Sequence, residues 1–390
     1  MLRPLRKSEV SYCSAIGGSS GRASGALGSG GTRDSGDGRR ARAASARRGA
    51  PVYHDRPGRG RIAGRAEVLR RLPAISPTTW TRAAESFPVQ LTRSWLDRIR
   101  SADGPLGLQA LPHERELVPD PGDRADPVGE GRRSPVPWVV QKHADRALLL
   151  LTRRCHLYCR YCFRRGQEGP ADPTPAELDA ALAWIRQRGV REMILSGGDP
   201  LAVRDRRIFS AIDAVRPAVP VVRIHTRAPI TAPFRVTDAL VAGLAERAPV
   251  WVIVHANHPD ELSPDVRRAL AALVDAGIPV LNQAVLLAGV NDDPAVLAEL
   301  FGELTTMRVF PYYLHHPDPA PGNAMFRLST RRGLRIYSEL ASRVSGIALP
   351  RYVIDPPDGL GKLDVAEWVH AGGRRPVPSD ASPSTPQQEP

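Results

Sequence analysis

From Ala147 onward, short apolar runs and longer amphipathic runs alternate along the chain. The apolar runs cover 147–152, 190–196, 220–225, 250–255, 279–287 and 307–314, lengths that suit buried strands. Residues 175–188, 205–216, 236–247, 263–276, 294–305 and 330–344 repeat apolar positions at helical spacing. Six strands alternating with six helices predict an α/β fold, a parallel sheet wrapped by helices. A further short strand is expected at Arg351–Ile354, ahead of a glycine-containing loop.

Upstream the pattern changes. Residues 1–72 are rich in Gly, Ser, Arg and Ala and poor in large apolar groups, so they are expected to be a disordered basic tail. Its Arg/Ser-rich character also suits a transit peptide, but Pro and Gly interrupt any amphipathic stripe. Residues 73–141 form a helical N-terminal region, with helices over Thr79–Ser86 and Leu91–Ile99, followed by an extended strap from 116 to 141. The repeating unit then occupies 142–350, a loop and C-terminal segment 351–371, and a Pro/Ser/Gln-rich tail, expected to be disordered, 372–390.

Charge adds one qualification. The formal net charge is +13, but residues 1–70 hold 15 Lys and Arg against 5 Asp and Glu, leaving 39 against 36 for the rest. The basic character therefore belongs to the tail, and a nucleic-acid partner for the core is not expected. No apolar run reaches 18 residues, so no membrane span is expected.

The chemistry begins at Leu151–Arg165, LTRRCHLYCRYCFRR, where Cys155, Cys159 and Cys162 stand in a CxxxCxxC spacing just after a strand. Three thiolates on one loop can hold three irons of a [4Fe–4S] cubane and leave the fourth iron open to an exogenous ligand. A zinc site would need a fourth ligand, and His156, lying between two of the thiols, would strain the loop. Cysteines that merely pack are the remaining reading. The only other cysteine, Cys13, lies alone in the tail, so the chain has no disulfide framework. A low-potential cluster needs a reducing compartment, which predicts a cytoplasmic protein.

CxxxCxxC followed by Phe163 resembles the radical S-adenosylmethionine (SAM) superfamily. That resemblance implies an open (β/α)6 partial barrel with an N-terminal helical extension, in which the open iron chelates SAM. It further implies that Ser196-Gly197-Gly198-Asp199, after the second strand, contacts the amino end of SAM, although Gly-Gly-Asp-Pro also suits a plain turn. In such barrels the reacting groups lie at the C-terminal ends of strands.

A narrower resemblance spans about 86–368. It rests on Asp126-Pro-Val-Gly-Glu130, Ser134-Pro-Val-Pro137, Asp145-Arg-Ala-Leu-Leu-Leu150, the cysteine loop with Arg164-Arg165, Ser196-Gly-Gly-Asp-Pro-Leu201 and Thr226-Arg-Ala-Pro229. His255-Ala-Asn-His-Pro-Asp-Glu261, Leu281-Asn-Gln-Ala-Val-Leu-Leu287, Pro311-Tyr-Tyr-Leu-His315, Asp318-Pro-Ala-Pro-Gly322 and Asp355…Gly361-Lys362 complete it. Together these resemble the lysine 2,3-aminomutase family, radical SAM isomerases that also carry pyridoxal 5′-phosphate (PLP). By position, the resemblance makes Lys362 the PLP lysine, places Arg146 and Lys142 at the PLP phosphate, and gives Arg164 the substrate α-carboxylate. Asp318 and Asp355 would hold the ε-ammonium of lysine. The implied reaction is L-lysine to β-lysine, with hydrogen abstraction by a 5′-deoxyadenosyl radical and 1,2-migration of the amino group. A low-potential donor such as flavodoxin or ferredoxin would supply the electron.

Two departures bear on this. Larger members of the family carry C-terminal cysteines for a structural zinc; this chain has none beyond residue 162, so the usual homo-oligomer is in doubt. Asp358 is an extra acid in the loop before Lys362. The rival readings are the short zinc-less branch that makes β-lysine for elongation factor P, a 2,3-aminomutase for another amino acid, and, from a different class, a nucleic-acid-associated radical SAM modifier.

Overall fold

The computed structural model describes residues 62–165 and 172–375. Its centre is one nine-stranded sheet whose spatial order follows the chain: β1 (Val139–His143), β2 (Arg146–Thr152), β3 (Glu192–Gly197), β4 (Val221–His225), β5 (Val250–Val254), β6 (Val280–Val285), β7 (Phe310–His315), β8 (Arg351–Ile354) and β9 (Leu363–Asp364). Strands β2 to β8 are parallel, while β1 and β9 pair antiparallel at the two edges. The sheet therefore does not close, and the expected partial barrel is observed.

The six expected helices lie at Pro175–Arg188, Asp205–Val215, Asp238–Ala245, Pro264–Asp275, Pro294–Thr306 and Thr330–Arg343. Local chemistry sets their starts. Thr174 and Glu177 form a reciprocal capping box, Ser263, Asp293 and Ser329 accept from first-turn amides, and proline fills the first position of three of these helices. Strand parity then sorts the layers. On β2, Ala147, Leu149 and Leu151 are buried in the main core with the helices, whereas Arg146, Leu148 and Leu150 face a central cavity.

Four boundaries differ from the sequence reading. Residues 1–61 lie outside the described part, but the helix Arg65–Arg71 sits inside the segment expected to be disordered and buries Val68 in the main core with Leu72. The expected helix Leu91–Ile99 shrinks to Arg93–Leu96, because Ile62 bridges to Thr92 and the chain turns after Leu96. The strap contains two 3-10 turns, Glu114–Leu117 and Gly131–Arg133, and ends in β1, so a boundary at 142 cuts through a strand. The strand expected from 307 begins at Phe310, since Arg308 turns with a φ of 59°. Among the described residues no helix is long and apolar enough to cross a membrane.

Candidate active site

The C-terminal ends of the parallel strands open onto one cavity of about 600 Å³. Its walls include Cys155, Cys159, Cys162, Arg164, Ser196, Gly197, Gly198, Asp199, Lys142, Arg146, Asp318, Asp355 and Lys362, so the structure brings every sequence-predicted site residue to one space.

The cysteine loop leaves the top of β2 and is clamped by the N-terminal region. Tyr158 donates its backbone N–H to the Gln90 carbonyl at 3.0 Å, and Arg160 donates to that of Gln109 at 2.9 Å. The Gln90 side chain donates to the Cys155 carbonyl at 2.6 Å. Beneath the loop Arg160 and Arg165 converge on the buried Glu116 carboxylate at 2.5 and 2.9 Å. This pairing compensates charges that would be costly to bury singly. On the other side the Gly-Gly segment presses against the loop. A Cβ on Gly198 would lie 2.3 Å from the Arg154 carbonyl oxygen, and Gly197 has a φ of 124°. Only glycine permits that approach.

Burial pushes the Cys155 thiol well above its ordinary range, and Asp199, Cys162 and Cys159 push it further. A thiol so buried beside a carboxylate becomes a thiolate only with cationic compensation, which iron supplies. Among the described residues no three His, Cys, Asp or Glu groups converge as ligands of one ion would; thiolates that each hold a separate corner of a cubane need not converge. The donor set therefore fits a cluster.

Asp199 is nearly fully buried, and both its oxygens are occupied. One accepts from Thr226 Oγ1 at 2.6 Å and from the Leu201 N–H, the other from the Arg227 N–H at 2.9 Å. Its carboxylate fixes the loop, and the neighbouring Ser196 and the glycines face the cavity.

Arg164 makes a two-pronged pair with Glu130, 2.8 Å from Nε and 2.6 Å from Nη2, and its Nη1 donates to Ser196 Oγ and the Gly197 carbonyl. Burial opposes the Glu130 carboxylate, but Arg164 outweighs that and holds it below the ordinary range. Lys142 Nζ bonds both Asp355 oxygens at 3.2 and 3.3 Å and the Val128 carbonyl at 2.6 Å. Lys362 Nζ lies 3.5 Å from the same carboxylate and 6.0 Å from the centre of the Tyr313 ring. Asp318 accepts no hydrogen bond at its carboxylate among the described residues. Burial, and then the Asp355 charge, push its carboxyl up to about 7 despite the two lysines. Arg146 stands at the start of β2, the far end of that strand from the cysteines, beside Asp145 at 3.2 Å.

Sequence reasoning gave no role to three features. Glu130 is the partner of Arg164. His225, Gln283 and His315 form a chain with contacts of 3.1 and 3.2 Å, and both histidines are held neutral by burial first and then by cations, Arg223 and Lys362 at His225 and Lys362 at His315. Arg227 donates to Cys159 Sγ at 2.9 Å. The available signal was polar residues at the inward parity of apolar strands, together with the Thr226–Pro229 and His255–Glu261 motifs.

The radical SAM superfamily matches residues 149–301. An L-lysine 2,3-aminomutase from Acetoanaerobium sticklandii is 37% identical over 78% of this chain and 77% of its own length. One from Clostridium subterminale is 38% identical over 79% of this chain and 77% of its own length. A putative L-lysine 2,3-aminomutase from Treponema pallidum is 39% identical over 78% of this chain and 87% of its own length. With the cysteine loop, the Gly-Gly segment and the open parallel sheet in their expected places, the chain belongs to the L-lysine 2,3-aminomutase family of radical SAM enzymes.

Proposed function

We propose that this chain is a SAM- and PLP-dependent L-lysine 2,3-aminomutase. The observation that carries the reading is the shared cavity: three thiols, the Gly-Gly segment and Arg164 line it together with Lys362, Asp355 and Asp318, whose carboxyl accepts no hydrogen bond among the described residues. Cys155, Cys159 and Cys162 would hold the [4Fe–4S] cluster, Ser196, Gly197 and Gly198 the SAM amino end, and Lys362 the PLP, with Lys142 and Arg146 towards its phosphate. When bound, these groups supply the one-electron chemistry that starts hydrogen abstraction and the conjugated carbonyl through which an amino group can migrate.

The residues of the chain account for the substrate. Arg164, a planar guanidinium held in place by Glu130, meets the α-carboxylate. Asp318 and Asp355 meet the ε-ammonium. A carboxyl at about 7 ionises readily once a cation is beside it. A neutral amino acid would leave Asp318 without a partner, which disfavours it. A reducing cytoplasm and a flavodoxin- or ferredoxin-type donor complete the requirements.

Anaerobic incubation of the reconstituted protein with SAM, dithionite, PLP and each amino acid in turn, read by mass spectrometry, tests the reading. β-Lysine from L-lysine is expected. Turnover of another amino acid with lysine untouched would overturn the substrate assignment.

A further inference from the structure

Arg227 belongs to the Thr226–Pro229 segment that follows β4. Its side chain is 8% exposed, and each of its guanidinium nitrogens is engaged. Nη1 donates to Cys159 Sγ at 2.9 Å, Nη2 to Gln109 Oε1 at 2.7 Å and Glu261 Oε2 at 3.0 Å, and Nε to the His255 carbonyl at 3.2 Å. The guanidinium also stands 5.0 Å from the Trp95 ring centre and 5.5 Å from that of Tyr161. Glu261 is fully buried and holds its other oxygen on Gln109 and on the Asn257 N–H. One buried cation is thus shared between one buried carboxylate and one sulfur.

Resting on the reading that Cys159 ligates the cluster, we propose that Arg227 and Glu261 set the cluster's reduction potential through the Cys159 sulfur. Arg227 is then a positioning and tuning residue that acts through the Cys159 sulfur. Reduction adds one electron, delivered by the external donor, and part of that charge spreads onto the ligand sulfurs. A cationic donor bonded to a sulfur stabilises the reduced state more than the oxidised one, and hydrogen bonds to ligand sulfurs are an established control on such potentials. Glu261 opposes this by neutralising the cation. The two residues therefore have opposite signs, which simple support of the loop would not produce.

The test is an EPR-monitored dithionite titration of the full chain with its cluster reconstituted, without SAM or substrate. Arg227→Gln is expected to make the cluster at least tenfold harder to reduce, about 59 mV more negative for a one-electron couple. Glu261→Gln is expected to make it severalfold easier to reduce, and Arg227→Lys to restore part of the loss. If Arg227→Gln takes up no cluster, the sign of the Glu261→Gln shift decides alone. Potentials within twofold of the unaltered chain, or shifts of the same sign in both variants, overturn the inference and leave the cysteine assignment standing. Failure of the unaltered chain to take up a cluster overturns both.

Discussion

If Asp318 meets the substrate ammonium as proposed, this single side chain ties substrate choice to pH. Its folded pKa is raised from 3.8 to about 7, by burial and then by Asp355. A raised acid binds its proton more tightly when folded, so the associated stability is full below about 3.8 and is lost as pH rises through 7. Binding an ammonium requires the opposite, ionised form. The kcat/KM for lysine should therefore climb with pH up to about 7 and then level off. Asp318→Asn should remove that limb and lower the plateau about tenfold to a hundredfold, since a charge-assisted bond contributes roughly 1.5–3 kcal/mol. A pH–rate profile that keeps its limb in the variant would assign the titration elsewhere. At this scale the sequence showed which residues matter but not how they pair. Lys142 and Asp355 are 213 positions apart, and nothing local to either predicts that Lys142 and Lys362 share one carboxylate. Glu130 ends the Asp126–Glu130 motif, yet its partner, Arg164, is fixed only by the fold.

Among the elements, the six barrel strands and six helices were legible because their apolar periods are long and their caps are explicit. The edge strands were not. Gln141, Lys142 and His143 end β1 with polar groups, and β9 is two residues long, so neither carries a period. The turn after β3 was legible as Gly-Gly, but not its contact with the cysteine loop. Gly198→Ala sets a methyl 2.3 Å from the Arg154 backbone oxygen, and backbone cannot swing aside as a side chain would. A stability loss of about 1–3 kcal/mol is expected, with iron content after reconstitution falling as the loop is displaced. Melting and iron assays on the same preparation check it; full iron loading with unchanged melting would show that the loop yields freely.

For the whole molecule, the N-terminal region is part of the fold rather than an appendage. Ala63 donates to the Leu91 carbonyl at 2.9 Å, and Val68 and Leu72 join the main core. Each such side chain contributes about 1.5–3 kcal/mol on burial. A chain beginning at Pro73 should therefore unfold at clearly lower urea than one beginning at Ile62. Equal midpoints would mean that the helix Arg65–Arg71 adds nothing. Composition hid this, because one short helix with only Val68 fully buried resembles the basic stretch before it.

The sheet stops short of closure, and the gap is spanned by side chains and loops. Lys142 on edge strand β1 grips Asp355 beyond β8, Arg132 reaches the Pro357 carbonyl at 2.8 Å, and Gly129 packs against Gly359. The sheet is a bracelet whose clasp is ionic. The carboxylate in that clasp is also the one assigned to the substrate ammonium, so fastening the ring and holding the substrate draw on the same charge. A cation arriving at Asp355 competes with Lys142, and occupancy of the site is thereby felt along the edge strand that carries the clasp.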